Sequence, residues 1–107
     1  MTNKINLIVE QSALDAFCCD IADAAYISVD TEFLRESTFW PRLCLVQVAT
    51  QKYSAVIDPL ASNLDLAPLL KIMANPSVTK VFHAARQDIE IFHRLMGKTP
   101  TSVFDTQ

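Results

Sequence analysis

Three apolar runs follow one another closely within residues 26–57, which read YISVDTEFLRESTFWPRLCLVQVATQKYSAVI. The runs at Tyr26–Thr31, Leu43–Ala49 and Tyr53–Ile57 are predicted as β-strands. The links between them show no helical period, whereas parallel neighbours need a crossover of about a dozen residues or more. We therefore predict that the three strands form an antiparallel meander.

Helices and strands alternate on both sides of this meander. Before it, an apolar strand at Ile5–Val9 leads into a helix that Ser12 caps and that continues to about Ala24. After it, the predicted elements are a helix at 65–75, a strand at 79–83, a helix at 86–96 that stops at Gly97, and a strand at 103–105. From the meander onward the order is βββαβαβ, which predicts an α/β fold with a mixed sheet.

The composition is that of a single small domain. The chain has 107 residues, half of them apolar, with one Gly and five Pro, which argues against a linker-rich or disordered polypeptide. No apolar run approaches the roughly 20 residues that span a bilayer, and the N-terminus lacks a signal-peptide pattern. Three cysteines have no metal-binding spacing, so reduced thiols are expected. We expect a cytoplasmic protein with no membrane partner.

Two carboxylates end the first strand of the meander. Residues i and i+2 of a strand point to the same face, so Asp30 and Glu32 project side by side. Two ionised acids at the end of a largely buried strand repel each other and lose hydration, and a divalent cation relieves both effects. Oxygen ligands alone favour Mg²⁺ or Mn²⁺ over zinc. An ordinary acidic loop after a strand is the alternative that this pair leaves open.

The acids belong to a series of segments. These are DTEF at 30–33, TFWPRLCLVQV at 38–48, IDPL at 57–60, HAARQDIEIF at 83–92 and FDTQ at 104–107. From about Tyr26 to its end, the chain resembles the ribonuclease D family of DEDD exonucleases in the order and spacing of these segments. The resemblance implies a ribonuclease H-like mixed sheet, truncated before the C-terminal helices of the domain. It makes residues 1–107 the N-terminal portion of a single DEDD 3′-to-5′ exonuclease domain.

The resemblance also implies a metal site. In that family a first motif supplies an Asp and a Glu and a second motif supplies an Asp, which correspond to Asp30, Glu32 and Asp88. These are implied to be catalytic ligands of two divalent metal ions, Mg²⁺ or Mn²⁺. Taken alone, Asp88 is explained by the positive end of the helix dipole. In the implied fold, however, the strands at 26–31 and 79–83 are neighbours, which brings Asp88 to the other two acids.

The family's third motif is a Tyr or His followed four residues later by an Asp. It has no counterpart up to Gln107, and Asp105 resembles a structural position that precedes it. The resemblance implies a phosphodiester hydrolase, a 3′-to-5′ exoribonuclease that acts on RNA 3′ ends, with tRNA precursors as the typical substrate. The 107-residue chain is expected to bind metal weakly, to have little or no activity alone, and to self-associate through surface exposed by truncation.

Several other side chains are candidates for substrate binding. Phe33 and Leu34 follow the acids and are candidates for contact with bases, as is Trp40, for which packing in the core or in a lid is at least as good an interpretation. His83 is a candidate at the site, with hydrogen-bonded packing at a strand end as the alternative. Gln47 lies in an apolar strand and is expected to join a buried hydrogen-bond network. The net charge of −3 argues against an extended surface for duplex nucleic acid.

Two other classes of protein fit parts of the pattern. A phosphoacceptor receiver domain also clusters acids at strand ends and would use Asp58. It needs helical crossovers between its first three strands, and the stretch between Glu32 and Asp58 has no room for two. A non-catalytic nucleic-acid-binding domain on the same ribonuclease H-like scaffold is the second alternative, and the three intact acids favour the nuclease over it.

Overall fold

The computed structural model of the chain describes residues 6–34 and 42–107, which form a mixed sheet and helices. The elements are β1 (Leu7–Ile8), α1 (Gln11–Ile21), β2 (Tyr26–Leu34), β3 (Arg42–Ala49), β4 (Ser54–Ile57), α2 (Ala67–Met73), β5 (Thr79–Phe82), α3 (Arg86–Met96) and β6 (Val103–Asp105), with a 3-10 turn at Ala61–Asn63. Within these described ranges, none of the helices has both the length and the apolar character needed to span a bilayer.

The sheet is six-stranded, in the order β1-β4-β3-β2-β5-β6. β2, β3 and β4 pair antiparallel, which confirms the predicted meander. β1 pairs parallel with β4, β5 pairs parallel with β2, and β6 pairs parallel with β5. The predicted βββαβαβ order is thus confirmed, and β2 and β5 are neighbours as the family resemblance implied.

One face of the sheet is buried beneath the helices. Because successive strand residues point to opposite faces, the buried strand positions fall on one side. The core joins Ile8, Ile27, Val29, Val46, Val48, Ile57 and Phe82 of the strands to Leu14, Phe17, Ile21, Leu69, Ile72, Ile91 and Phe92 of the helices. The opposite surface, here called the open face, carries the exposed residues of β2: Tyr26, Ser28, Asp30 and Glu32.

Two expectations about local structure are wrong, and a third is confirmed. Ser12 does not cap α1, because Glu10 is the N-cap residue and its backbone carbonyl accepts the first hydrogen bond of the helix. Gln47 is not in a buried network, because it is the β3 partner of Asp30 and is exposed on the open face. As predicted, α3 ends at Gly97, whose φ of 74° is the left-handed conformation that glycine adopts without steric cost.

A buried lysine joins β5 to the C-terminal end of α2. The side chain of Lys80 is 0% exposed, and its Nζ donates to the carbonyls of Asn75 at 2.7 Å and Ile72 at 3.3 Å and to the Thr101 hydroxyl at 3.4 Å. The last carbonyls of a helix carry partial negative charge and lack partners within the helix, so the ammonium group satisfies them. Burial lowers the pKa of Lys80 from 10.5 to about 8.

The substitution Lys80→Met is expected to change how stability depends on pH. The folded protein releases the Lys80 proton near pH 8, whereas the unfolded chain holds it to about 10.5. Between these two pH values the unfolded state binds more protons than the folded state. The free energy of unfolding of the wild type should therefore rise with pH, relative to that of the variant. Urea unfolding of both proteins at about pH 7 and about pH 10 measures this difference.

Lys71→Met removes an exposed lysine of α2 and is the control for the loss of one positive charge. A stability difference between the wild type and Lys80→Met that stays constant across this pH range would contradict the shifted pKa of Lys80.

Candidate active site

The central strand β2 carries both acids of the first motif. Asp30 and Glu32 are exposed on the open face, side by side as predicted. Since β2 continues to Leu34, the acids lie within a paired strand and not in a loop after it. A β-bulge between Glu32 and Phe33 shifts the register with β3, and bulges of this kind increase the local twist of a strand.

Thr31, between the two acids, connects β2 to α3. It points to the helix side of the sheet and is 8% exposed. Its hydroxyl donates to Oδ1 of Asp88, a carboxylate in the first turn of α3 that is also buried. Sequence reasoning did not single out Thr31, although the alternation that places Asp30 and Glu32 on one face places Thr31 on the other.

The Asp88 carboxyl group lies in an environment that opposes its ionisation. Burial raises the pKa of Asp88 above its ordinary value, the hydrogen bond from Thr31 acts in the opposite direction, and the negative charge of Asp30 adds to the increase. The charge of Asp30 therefore disfavours the ionised form of Asp88. A divalent cation is a simple means of stabilising two carboxylates in this relation.

The start of α3 is held in place by contacts with two strands, β5 and β6. Phe82, at the end of β5, packs edge-on against Phe92 of α3, with ring centroids 6.4 Å apart and planes at 61°. Between the end of β5 and the start of α3 the chain turns through Ala84, whose φ of 57° lies in the left-handed region. The carboxylate of Asp105, at the end of β6, accepts hydrogen bonds from the backbone amides of Ala84 at 2.9 Å and Ala85 at 2.8 Å. The start of α3 is thus held by β6 as well as by β5.

The three predicted ligands fit a hard divalent cation by their chemistry. Asp30, Glu32 and Asp88 offer carboxylate oxygens, which Mg²⁺ and Mn²⁺ prefer. In the part of the chain that the structure describes, however, no three side chains of His, Cys, Asp or Glu are gathered closely enough to hold an ion. Asp30, Glu32 and Asp88 do not form such a group in this conformation. Their assignment as metal ligands stays a prediction.

The substrate-binding candidates lie in different environments. Phe33 is partly buried and packs against the core. Leu34 is the last residue of β2, and its side chain is outside what the structure describes, as is all of Trp40. His83 is exposed at the turn before α3, with its Nδ1 3.0 Å from the Thr106 hydroxyl. Contact of Phe33, Leu34 and His83 with a substrate stays a prediction.

An α/β fold with a six-stranded mixed sheet is found in the ribonuclease H-like exonucleases. The crystal structure of Escherichia coli RNase D, described as an exoribonuclease involved in structured RNA processing, has this fold and matches the chain with a TM-score of 0.88. The two are 36% identical over 96% of this chain and 27% of that chain. The sequence model of the 3′-5′ exonuclease family matches residues 5–107. The chain belongs to this family.

Within the family, the resemblance to ribonuclease D is confirmed by relatives of that name. Ribonuclease D of Sphingobium indicum is 56% identical over 102 residues, which are 94% of this chain and 26% of that protein. The structure of Trypanosoma brucei RNase D in complex with RNA U12 matches 96% of this chain and 37% of that chain with a TM-score of 0.84; at 19% identity this similarity shows the fold alone. The chain spans about a quarter of the length of the Sphingobium and Escherichia coli relatives.

Thr31→Val is expected to lower the free energy of unfolding by about 1–3 kcal/mol, because it leaves the buried carboxylate of Asp88 without its hydroxyl donor. Thr31→Ser is the control, since it keeps the hydroxyl and loses only a methyl group, at about 0.8 kcal/mol. Urea unfolding at neutral pH compares the two. A Thr31→Val variant as stable as the wild type would show that the hydrogen bond contributes nothing to the fold.

Proposed function

We propose that this chain is the N-terminal portion of a metal-dependent 3′-to-5′ exoribonuclease domain. The observation that carries the proposal is that Thr31, which lies between Asp30 and Glu32 on the central strand, donates a hydrogen bond to Asp88 of α3, in a chain of the 3′-5′ exonuclease family. This contact brings an acid that is distant in the sequence to the strand that carries the other two. A structural role alone does not require two acids to be brought together in this way.

Asp30, Glu32 and Asp88 are proposed to hold two divalent ions, Mg²⁺ or Mn²⁺. When bound, such ions supply a hydroxide nucleophile from water and stabilise the leaving oxygen of a phosphodiester. The role of the chain is to present the ligands. The strand period of β2 keeps Asp30 and Glu32 on the exposed face, and Thr31 holds the carboxylate of Asp88 through its hydroxyl.

RNA is the proposed substrate. The Escherichia coli relative at 36% identity is an exoribonuclease involved in structured RNA processing, which supports RNA over DNA. We propose that the 3′ ends of tRNA precursors are trimmed in the cytoplasm. Phe33, Leu34 and His83 are proposed to contact the terminal nucleotides, since they lie directly after the acids of β2 and at the turn before α3.

The domain is proposed to need residues outside this chain. The chain spans about a quarter of its relatives, and the family's third motif has no counterpart in it. By itself, the 107-residue chain is expected to bind metal weakly and to have little or no nuclease activity.

The chain continued with its natural downstream sequence is expected to shorten a 5′-labelled single-stranded RNA progressively from its 3′ end in Mg²⁺ or Mn²⁺. Asp30→Asn removes a proposed ligand, so the rate should fall by more than the roughly 10- to 100-fold that is usual for residues supporting a metal site. Glu90→Gln is the matched control, because Glu90 is an exposed acid of α3, the same helix that carries Asp88.

Gel electrophoresis of the labelled RNA over time separates the outcomes. A ladder that shortens from the 3′ end, is abolished by EDTA and is weakened by Asp30→Asn supports the exoribonuclease. RNA that is bound but keeps its length in both metals would instead favour the non-catalytic scaffold. Full activity of the 107-residue chain would contradict the proposal that the domain is incomplete.

Self-association of the 107-residue chain is a further part of the proposal. The open face exposes apolar side chains, with Leu7 at 55%, Tyr26 at 44% and Phe104 at 58% exposure. Removing apolar surface of this kind from water favours association.

Light scattering across a concentration series is expected to show dimers that dissociate on dilution. Phe104→Thr should weaken the dimer, because it removes the most exposed of these three side chains from the open face. Leu95→Gln changes an exposed apolar residue of α3 and should leave the dimer intact. A monomer at every concentration would rule out self-association through this face.

A further inference from the structure

Asp105 ends β6 at the place where β5 turns into α3. In the parallel pair of β5 and β6, Asp105 is the partner of Phe82, so its side chain lies beside the turn that follows β5. Its Oδ1 accepts hydrogen bonds from the backbone amides of Ala84 and Gln107, both at 2.9 Å. Its Oδ2 accepts a hydrogen bond from the amide of Ala85 at 2.8 Å. One carboxylate thus binds both the turn before α3 and the end of its own strand.

This carboxylate binds the amides at the start of α3, a helix without a capping side chain of its own. The N-cap residue of α3 is Ala85, whose methyl group accepts no hydrogen bond, although the first amides of a helix need acceptors. Asp105 supplies an acceptor from β6 for the amide of this N-cap residue, and its negative charge interacts favourably with the helix N-terminus. Hydrogen bonds from the amides of Ala85 and Gln107 lower the pKa of Asp105, so the carboxylate stays ionised in mild acid.

The turn that Asp105 holds determines where Asp88 lies. Ala84 has a φ of 57°, which is disfavoured for a residue with a side chain and persists only where neighbouring contacts hold it. Asp88 follows within the first turn of α3, so a shift of the preceding turn moves its carboxylate relative to the Thr31 hydroxyl. Thr106 adds a second restraint, because its hydroxyl lies 3.0 Å from Nδ1 of His83 at the other end of the turn.

We propose that Asp105 is a positioning residue for Asp88. By fixing the turn at residues 83–85 it holds the Asp88 carboxylate beside Thr31. It acts through backbone amides and touches neither metal nor substrate. The positioning of Asp88 stands by itself, whereas the consequence for metal binding rests on the proposed function.

A double-mutant cycle tests the positioning without any metal. Thr31→Val removes the hydroxyl group that hydrogen-bonds to Asp88, a bond that forms only when Asp88 is in its place. Asp105→Asn removes one of the two carboxylate oxygens that accept hydrogen bonds from the turn. If Asp105 positions Asp88, Thr31→Val should lower the urea midpoint less in the Asp105→Asn background than in the wild type. The matched control is Asp65→Asn, because Asp65 is also an exposed carboxylate that accepts a helix-start amide, that of Ala67 at 2.9 Å. Its effect should add to that of Thr31→Val.

Additive effects of Thr31→Val and Asp105→Asn would overturn the proposal, since Asp105 would then stabilise the fold without setting the place of Asp88. Where Asp105→Asn does not fold, Asp105→Glu takes its place in the cycle, because glutamate keeps both acceptor oxygens and changes only their position.

Mn²⁺ binding is the second readout, measured by water proton relaxation on variants that circular dichroism shows to be folded. Asp105→Asn should weaken Mn²⁺ affinity about 10- to 100-fold, as for residues that support metal ligands, and Asp65→Asn should not. Unchanged affinity in Asp105→Asn would overturn the role at the metal site. If the wild type itself binds no Mn²⁺, the proposed metal site fails, while the cycle still decides whether Asp105 positions Asp88.

Discussion

The position of β2 at the centre of a mixed sheet is the constraint on which the rest of the structure depends. β2 pairs antiparallel with β3 and parallel with β5, so its register is specified on both edges. Ile27 and Val29 are buried against the helices, and a slip of one residue would expose them and bury Asp30 and Glu32 instead. The apolar core thus keeps both acids on the open face, and the burial that stabilises the fold also orients the candidate site.

The third acid reaches the site through tertiary contacts alone. Because β2 and β5 are parallel neighbours, the turn after β5 opens beside the later part of β2, and α3 returns across the buried face. The edge-on contact of Phe82 with Phe92 holds this helix to the sheet. The hydroxyl of Thr31 then donates to the Asp88 carboxylate, and an apolar side chain at this position would remove that donor. Packing places the helix, and one hydroxyl orients the carboxylate.

Local patterns predicted most of the fold, and their errors have local causes. The meander and the element order follow from short links and strand periods. Ser12 was predicted to cap α1 on residue type alone, but the helix had already begun after Glu10. Gln47 was predicted to be buried because its neighbours in the sequence are apolar, yet some of those neighbours, such as Leu45, share the open face with it and are only partly buried. When a strand carries apolar residues on both faces, its sequence does not show which face the helices cover.

The sequence by itself determined the strands and helices, the common face of Asp30 and Glu32, and the family, since periodicity and motif spacing are local properties of a chain. Only the tertiary structure decided that Thr31 binds Asp88, that Glu32 does not close a cluster with Asp30 and Asp88, and that the Asp105 carboxylate holds the start of α3. These contacts join residues far apart in the chain, and they depend on the register of β5 and β6 and on side-chain positions that no local pattern specifies.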